Sequence, residues 1–362
     1  MFLALRELRH AKLRYALISL IMILIAWLVL FVTGLASGLS SDNAASIQYS
    51  SADYLLLSKD GDQKITRSSL SGQSLNDIGK FVQKDDAAPV SIQMSTVENE
   101  NKKIDVAFFA IDATSFLKPQ LVEGKMFSNE RSNEVVVDRS IKEEGLFLGD
   151  KIKDELSGKT FTIVGFSKNQ TFSHSPVVHM NAKAWSHLGR PYSKETINAI
   201  ALKTDNDTAG KIERSYSEIE AVEKQQALKG IPGYQEEQGS LLMMIIFLFI
   251  IAAFVLAVFF YVITIQKMNQ FGVLKAIGAK TGYLAKNILY QVFLLSSVSL
   301  LISNGLTYGV SFMLPASLPF VLSPLVALGC SLLFLGVALL GSVLSLYQVA
   351  KIDAIEAIGR AA

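Results

Sequence analysis

The sequence predicts an α-helical membrane protein with four transmembrane helices and a large extracellular α+β domain inserted between the first and the second. Three observations predict it. Half of the 362 residues are hydrophobic and only 18% are charged, against about a quarter in soluble domains. The missing charges are concentrated: Lys, Arg, Asp and Glu are absent from Tyr15 to Ser41, from Ser240 to Gln266, and across the 64 residues from Asn287 to Ala350. Between the first two runs, Gly38 to Gln238 carries 24 basic and 29 acidic residues and has the charge content of aqueous protein. This pattern excludes a simple soluble enzyme and a disordered or fibrous chain.

A helix needs roughly 20 apolar residues to cross about 30 Å of hydrocarbon. Residues 1–15 form a basic leading segment and 16–37 supply the first span. A cleaved signal peptide would have an apolar core of about 7–15 residues, shorter than this run, so the segment is read as a span. Residues 38–238 form the aqueous domain. Within it 105–111, Glu134–Asp138 and 160–166 carry the β-branched and aromatic enrichment of strands, with weaker strands at 177–180 and 199–203. Residues 209–229 hold many helix formers and few breakers, which predicts a helix leading back to the membrane. The second span is 239–266. The last uncharged run is too long for one crossing and divides into spans at 287–313 and 325–347. The turn between them, 314–324, contains Pro315, Pro319 and Pro324, residues that disrupt helix interiors. Residues 348–362 form a tail.

Four spans put the leading segment, the loop 267–286 and the tail on one side. Those pieces hold ten basic residues against Glu7, Asp353 and Glu356, a net +7, whereas the domain sums to −5. The positive-inside bias therefore places both termini in the cytoplasm and the domain outside.

Catalytic constellations are absent from the sequence. The single Cys330 excludes a disulfide framework or a cysteine zinc site. His174, His179 and His187 fall close together, but no HExxH pattern surrounds them and Pro176 would break a helix there, so ordinary surface or half-buried histidines are expected and no metal site is assigned. Glu143 and Glu144, and likewise Glu236 and Glu237, read most simply as solvated charges. The net charge of +2 with scattered basic residues gives no case for nucleic acid. The phosphate-loop pattern GxxxxGK[ST] does not occur, so ATP energy must come from a partner subunit.

The loop 267–286 reads as a short amphipathic helix at the membrane face, with Phe271, Leu274, Ile277 and Gly278 at helical spacing among lysines. The run Phe271-Gly-Val-Leu-Lys-Ala-Ile-Gly-Ala279 resembles the coupling segment of the FtsX-like and MacB-like permeases of ABC transporters. The resemblance extends over the whole chain: span order, domain placement, this loop, and the tail Lys351-Ile-Asp-Ala-Ile-Glu-Ala-Ile358. In the domain, Leu121–Gly124, Glu134–Asp138, Gly149-Asp150 and Phe161–Gly165 follow the family pattern. Two positions depart from it, with Gln270 where an acidic residue is usual and Ala354 where proline is common. The resemblance implies that Gln270, Phe271, Gly272, Leu274, Lys275, Ile277 and Gly278 meet a separate ABC ATPase.

Within the family, three features resemble the HrtB branch, the haem-efflux permeases of Gram-positive bacteria. They are the compact size, the start MFLALRELRHAKLRYALI followed by Thr33–Leu39, and the segment Gly230-Ile-Pro-Gly-Tyr-Gln-Glu-Glu-Gln238. That resemblance implies a homodimer bound to two HrtA-like ATPases in a cell membrane, with haem as cargo entering near the outer leaflet. No cofactor is covalently bound. Ferric haem needs an apolar slot and an axial donor such as Tyr, His, Cys or Met. Tyr234, Glu236 and Glu237 stand just before the second span and Met243 and Met244 inside it, so these five are the candidate haem residues, with Tyr49 and Tyr54 as weaker ones. Interfacial tyrosines and packed methionines also occur without any ligand. Gly34 and Gly38 form a GxxxG pair that either packs helices closely or marks the loose end of the span. Export of a peptide antibiotic or other hydrophobic compound in the MacB manner stays open, as does FtsX-like regulation of a cell-wall hydrolase. A receptor module without an ATPase would leave the loop helix unexplained.

Overall fold

The structure is a computed structural model and describes residues 12–99, 102–189, 196–315 and 318–351. The leading residues 1–11 and the predicted tail from Ile352 onward lie outside the described residues. In chain order the helices are α1 (Lys12–Gln48), α2 (Ser74–Ile78), α3 (Ala182–His187), α4 (Asn206–Ser215), α5 (Lys224–Lys229), α6 (Tyr234–Gln266), α7 (Met268–Ala276), α8 (Thr281–Ser311) and α9 (Pro324–Lys351). Two compact units result: Met1–Gly38 with Ser240–Ala362, and Leu39–Gly239.

In the helical unit, α1, α6, α8 and α9 are each long and apolar enough to cross a membrane. Each turns one stripe inward at spacings of three and four, the repeat of a helix face. Ile18, Met22 and Ala26 of α1 meet Ala252, Leu256 and Phe260 of α6, Leu284, Ile288 and Val292 of α8, and Phe334 and Ala338 of α9. The opposite faces remain apolar and exposed, for example Leu17, Leu20, Leu24 and Leu28 on α1. That is the pattern of helices whose outer faces meet lipid.

Polar side chains on α8 join it to α1 and α9. Ser299 donates to the Ser19 carbonyl at 3.4 Å, Ser303 to the Ile23 carbonyl at 2.9 Å, and Asn304 to the Ser331 hydroxyl at 3.0 Å. Small hydroxyl residues permit close approach, and each finds an acceptor where no water is available.

The GxxxG pair of α1 packs within its own chain. A Cβ on Gly38 would stand 2.0 Å from the Pro319 carbonyl oxygen, and one on Gly34 would stand 2.3 Å from the Phe320 ring. The Val321 amide donates to the Gly34 carbonyl at 3.0 Å. The two glycines thus form the slot for the turn between α8 and α9, which is neither a loose helix end nor a helix–helix face.

The loop after α6 also differs from the sequence expectation. Residues 281–286 belong to α8, because the chain breaks at Gly278 and restarts at Thr281. At the other ends, α1 continues to Gln48 and α6 begins at Tyr234. Neither glycine nor proline interrupts Leu39–Gln48, whereas Pro232 and Gly233 delay α6. The last turns of α1 and the first turn of α6 belong to the domain unit.

The domain is a mixed α/β structure. Its strands are β1 (Tyr54–Ser58), β2 (Leu70–Ser71), β3 (Ala87–Asn99), β4 (Lys102–Ala110), β5 (Leu121–Gly124), β6 (Glu134–Asp138) and β7 (Lys151–Asp154), then β8 (Thr160–Ser167), β9 (Thr171–Phe172), β10 (Ser175–Met180), β11 (Thr196–Ile197), β12 (Ala199–Leu202) and β13 (Ile219–Glu223). Among the described residues, one 11-stranded sheet has the path β13-β1-β12-β3-β4-β10-β6-β8-β5, with β7 and β9 pairing off it. The β3–β4 hairpin runs in register from Ser91 opposite Ala110 to Asn99 opposite Lys102. The pairs β4–β10 and β6–β8 are parallel. Alternate residues of β4 feed different cores, Ala107 and Phe109 one, Val106 and Phe108 another.

The expected helix over 209–229 is corrected by the structure. Its two ends are helical, as α4 and α5, but its middle is not. Residues Ile219–Glu223 then form β13, an edge strand antiparallel to β1 with Tyr54 opposite Glu223, and α5 follows. Ile219 and Val222 are buried, and that tertiary pairing outweighs the weak helix propensity of the segment.

His179 on β10 is 2% exposed, and burial lowers its pKa from 6.5 to about 3. The folded state therefore holds it neutral while an unfolded chain takes up a proton below about pH 6.5. Its contribution to stability is present above pH 6.5 and is lost as pH falls towards 3, at up to about 1.4 kcal/mol per pH unit. Chemical denaturation of the full chain between about pH 4 and 6.5 should show a flatter pH dependence for His179→Phe than for wild type. By thermal melting in detergent, Gly38→Ala should be destabilised by about 1–3 kcal/mol through overpacking. Gly305→Ala, where a Cβ meets open space, should change little.

Candidate functional site

Two places gather the residues singled out by the sequence: the first turns of α6 and the short helix α7.

Gly233 takes a φ of 77° and turns the chain into α6. Tyr234, next in line, is half-buried and packs against the domain core. Glu236 is exposed. Glu237 turns towards the end of α1, where its Oε2 accepts a hydrogen bond from Asn43 Nδ2 at 2.6 Å. The same oxygen lies 3.1 Å from His174 Nε2, while His174 Nδ1 lies 3.1 Å from Asp42 Oδ2. Gln238 donates to the Ser40 hydroxyl beside this group. Met243 and Met244, on the helical unit, are 55% and 42% exposed.

The β9–β10 turn delivers the imidazole. Ser173 and His174 both adopt positive φ, 51° and 60°, and the Ser173 amide donates to the Asn43 carbonyl at 2.7 Å. One imidazole thus spans two carboxylates. As imidazolium it can donate to both, and as neutral imidazole to only one. Asn43 and His174 escaped the sequence reading as partners of Glu237, and Asp42 as a partner of His174, because the contacts join residues 194, 63 and 132 apart. Among the described residues no group of three His, Cys, Asp or Glu is placed to hold a metal ion. His187 lies exposed at the end of α3. Of the weaker tyrosines, Tyr49 shares a hydrogen bond with Ser41 at 3.1 Å, and Tyr54 donates to Asn206 at 3.3 Å.

The second place is α7. Phe271 is 1% exposed and buried in the helical-unit core, and Gly272 beside it is buried too. Leu274 packs on that core, Lys275 is half-buried, and Gln270, Val273, Ile277 and Gly278 are exposed. The helix ends in a Schellman motif: the Gly278 amide donates to the Lys275 carbonyl at 3.0 Å and the Ala279 amide to that of Leu274 at 2.9 Å. Such an end needs a residue at positive φ, and Gly278 supplies it at 97°. Leu274 and Ala279 add the apolar contact that usually accompanies the motif. Just before α7, the buried Lys267 ammonium donates to Gln291 at 3.0 Å, and Tyr15 donates to the same oxygen at 3.3 Å. One face of α7 is thereby fastened to the helical unit and the other is open.

Four membrane-length helices, a large α/β domain between the first two, and a short fastened helix between the second and third define a multi-pass transporter subunit of the permease type. Family models agree: residues 15–215 match the MacB-like periplasmic core domain and residues 242–354 the C-terminal part of FtsX-like permeases. The chain belongs to this family of ABC-transporter permeases. It is 32% identical over 360 residues to the putative hemin transport system permease protein HrtB of Staphylococcus haemolyticus, covering 99% of each chain. It is 31% identical over 359 residues to the protein of the same name from Staphylococcus epidermidis, again covering 99% of each. The solved extracellular domain of the transporter YknZ from Gram-positive bacteria aligns with 47% of this chain and 98% of its own, at 11% identity and a TM-score of 0.35.

Removing the Glu237 carboxylate should leave the buried Asn43 amide without its acceptor. Glu237→Leu is expected to lower stability by about 1–3 kcal/mol, against less than about 0.5 kcal/mol for the exposed Gln235→Ala. Thermal melts of the two variants in detergent, side by side, check this.

Proposed function

We propose that this chain is the permease subunit of a haem-efflux system. The observation that carries the reading is the end-to-end similarity to staphylococcal proteins named as hemin transport permeases. Haem is here the cargo and not a resident cofactor. Tyr234, Glu236 and Glu237 offer oxygen donors at the start of α6, and Met243 and Met244 continue the same helix with polarizable, exposed side chains. An amphiphilic porphyrin with carboxylate edges suits such a junction of polar turn and apolar span. The particular donor that meets the iron belongs to this proposal.

The working unit is a homodimer with two copies of an HrtA-like ATPase. Helix α6 is apolar along its length and its side chains are mostly exposed within one chain, which suits a second copy or lipid as its cover. Basic residues collect beside the spans on one side, so both termini and α7 face the cytoplasm and the domain faces outward. The exposed residues Gln270, Val273, Ile277 and Gly278 form the face that the ATPase pushes. ATP-driven closure of the partner turns the spans through α7, narrows the cleft between protomers and expels haem outward without a central channel. A rigid short helix suits this role because packed interfaces shift between discrete arrangements.

Two measurements test the reading. Haemin titrated into the purified protein should give a saturable Soret shift, weakened at least about tenfold, or about 1.4 kcal/mol, in Tyr234→Ala. No saturable shift would remove haem as cargo. Ile277→Glu places a charge on the open face, where the Ile277 side chain is 76% exposed and the backbone is not left-handed. That variant should reach the membrane and lose efflux, and unimpaired efflux would remove α7 as the coupling element.

A further inference from the structure

A cavity of about 350 Å³ opens in the domain, and neither Tyr234 nor Glu237 is among its lining residues. It is bounded by the end of α1, the segment Phe116–Gln120, and the segment Lys168–Gln170. Its inner wall is apolar, formed by Leu55, Val90, Phe109 and Phe116 among others. Two cations, Lys118 and Lys168, also line it, and neither is engaged in an ion pair among the described residues.

The polar floor is specific. His179, 2% exposed, lines the cavity and stands 5.7 Å from the Phe109 ring in an edge-on arrangement. Its Nε2 stands 2.9 Å from the Gln170 side-chain oxygen, an acceptor, so the tautomer protonated at Nε2 makes this hydrogen bond. Nδ1 is then a buried acceptor, and it has no hydrogen-bond partner. Burial keeps the ring neutral and so keeps that lone pair available. Ser46, also lining the cavity, leaves its buried hydroxyl unpartnered as well. Leaving such groups buried and unpaired is unfavourable, so both favour a ligand that supplies partners. Gln170 is itself held rigidly: its amide donates to Asp138 at 2.8 Å and its carbonyl accepts from the Val177 amide at 2.8 Å.

We propose that this cavity is a binding site for a small amphiphilic carboxylate carrying a hydroxyl. The carboxylate is received by Lys118 and Lys168, the apolar body by the Phe109 and Phe116 wall, and the hydroxyl donates to His179 Nδ1. The volume is at the small end of ligand pockets, about 300–1,000 Å³, which fits a one-ring acid or a short chain and not a tetrapyrrole. Its test does not depend on haem binding.

The experiment is calorimetric titration of the full-length protein in lipid nanodiscs with 3-(4-hydroxyphenyl)propionate, alongside 3-phenylpropionate and empty nanodiscs. One saturable site per chain is expected for the hydroxylated probe, with the probe lacking the hydroxyl about fivefold weaker, as one hydrogen bond to a buried acceptor implies. The double variant Lys118→Glu/Lys168→Glu, changed at the cavity mouth, should weaken both probes by at least about tenfold. His179→Leu should reduce the hydroxylated probe to the level of the other. The comparison of two probes on the wild-type protein keeps the test decisive if that core variant fails to fold. Absence of saturable binding, equal affinity for the two probes, or undiminished binding by the lysine variant would each overturn the proposal.

Discussion

Hydrocarbon offers no partner to a charge or to an unpaired polar group, and the layout of this chain depends on that constraint. It explains why three uncharged runs supply four helices, and why several of the polar side chains retained inside the helical unit pair with neighbouring helices. The hydroxyls of Ser299 and Ser303 donate to carbonyls of α1, and Asn304 reaches Ser331 of α9. Between these contacts, inward stripes such as Ile18, Met22 and Ala26 supply dispersion and close packing. Glycine has a related role at Gly34 and Gly38, where backbone and ring come too close to admit a side chain.

Where the helices leave the apolar region, polar chemistry returns in two organised forms. At one end, α1 and α6 carry Asp42, Asn43 and Glu237, and the β9–β10 turn places His174 among them. At the other, Lys267 is drawn under Tyr15 and Gln291, so that α7 begins from a fixed point and ends at the Gly278 Schellman motif. Both are devices for holding a helix end, and both adjoin residues to which the proposed transport cycle assigns a task.

Much of the architecture was legible because it rests on properties that are local in sequence. Length and charge exclusion define membrane helices. β-branched runs such as Glu134–Asp138 define buried strands, here β6, whose five residues are all buried. Phe271 and Leu274 at helical spacing predicted the packed face of α7. What escaped is non-local. The strand Ile219–Glu223 exists because β1 lies beside it, and nothing within 209–229 announces that neighbour. The turn slot of Gly34 and Gly38 depends on Pro319 and Phe320, nearly three hundred residues away in sequence. For the same reason Glu237 could be named from its place before a span, while its partners Asn43 and His174, and Asp42 behind His174, could not. The cavity beside His179 gave no sequence signal either: the sequence predicts a surface or half-buried histidine there, and the strand buries it.

Family membership and the four-helix design follow from features spread over the whole chain, whereas the cargo rests on similarity to relatives and on a short stretch at the start of α6. The measurement that tests the cargo most directly is growth in graded haemin of the source bacterium with and without this gene. The account predicts that deletion lowers the haemin concentration that arrests growth and that the intact gene restores it. Superimposable growth curves would contradict haem efflux and leave a permease with a different substrate.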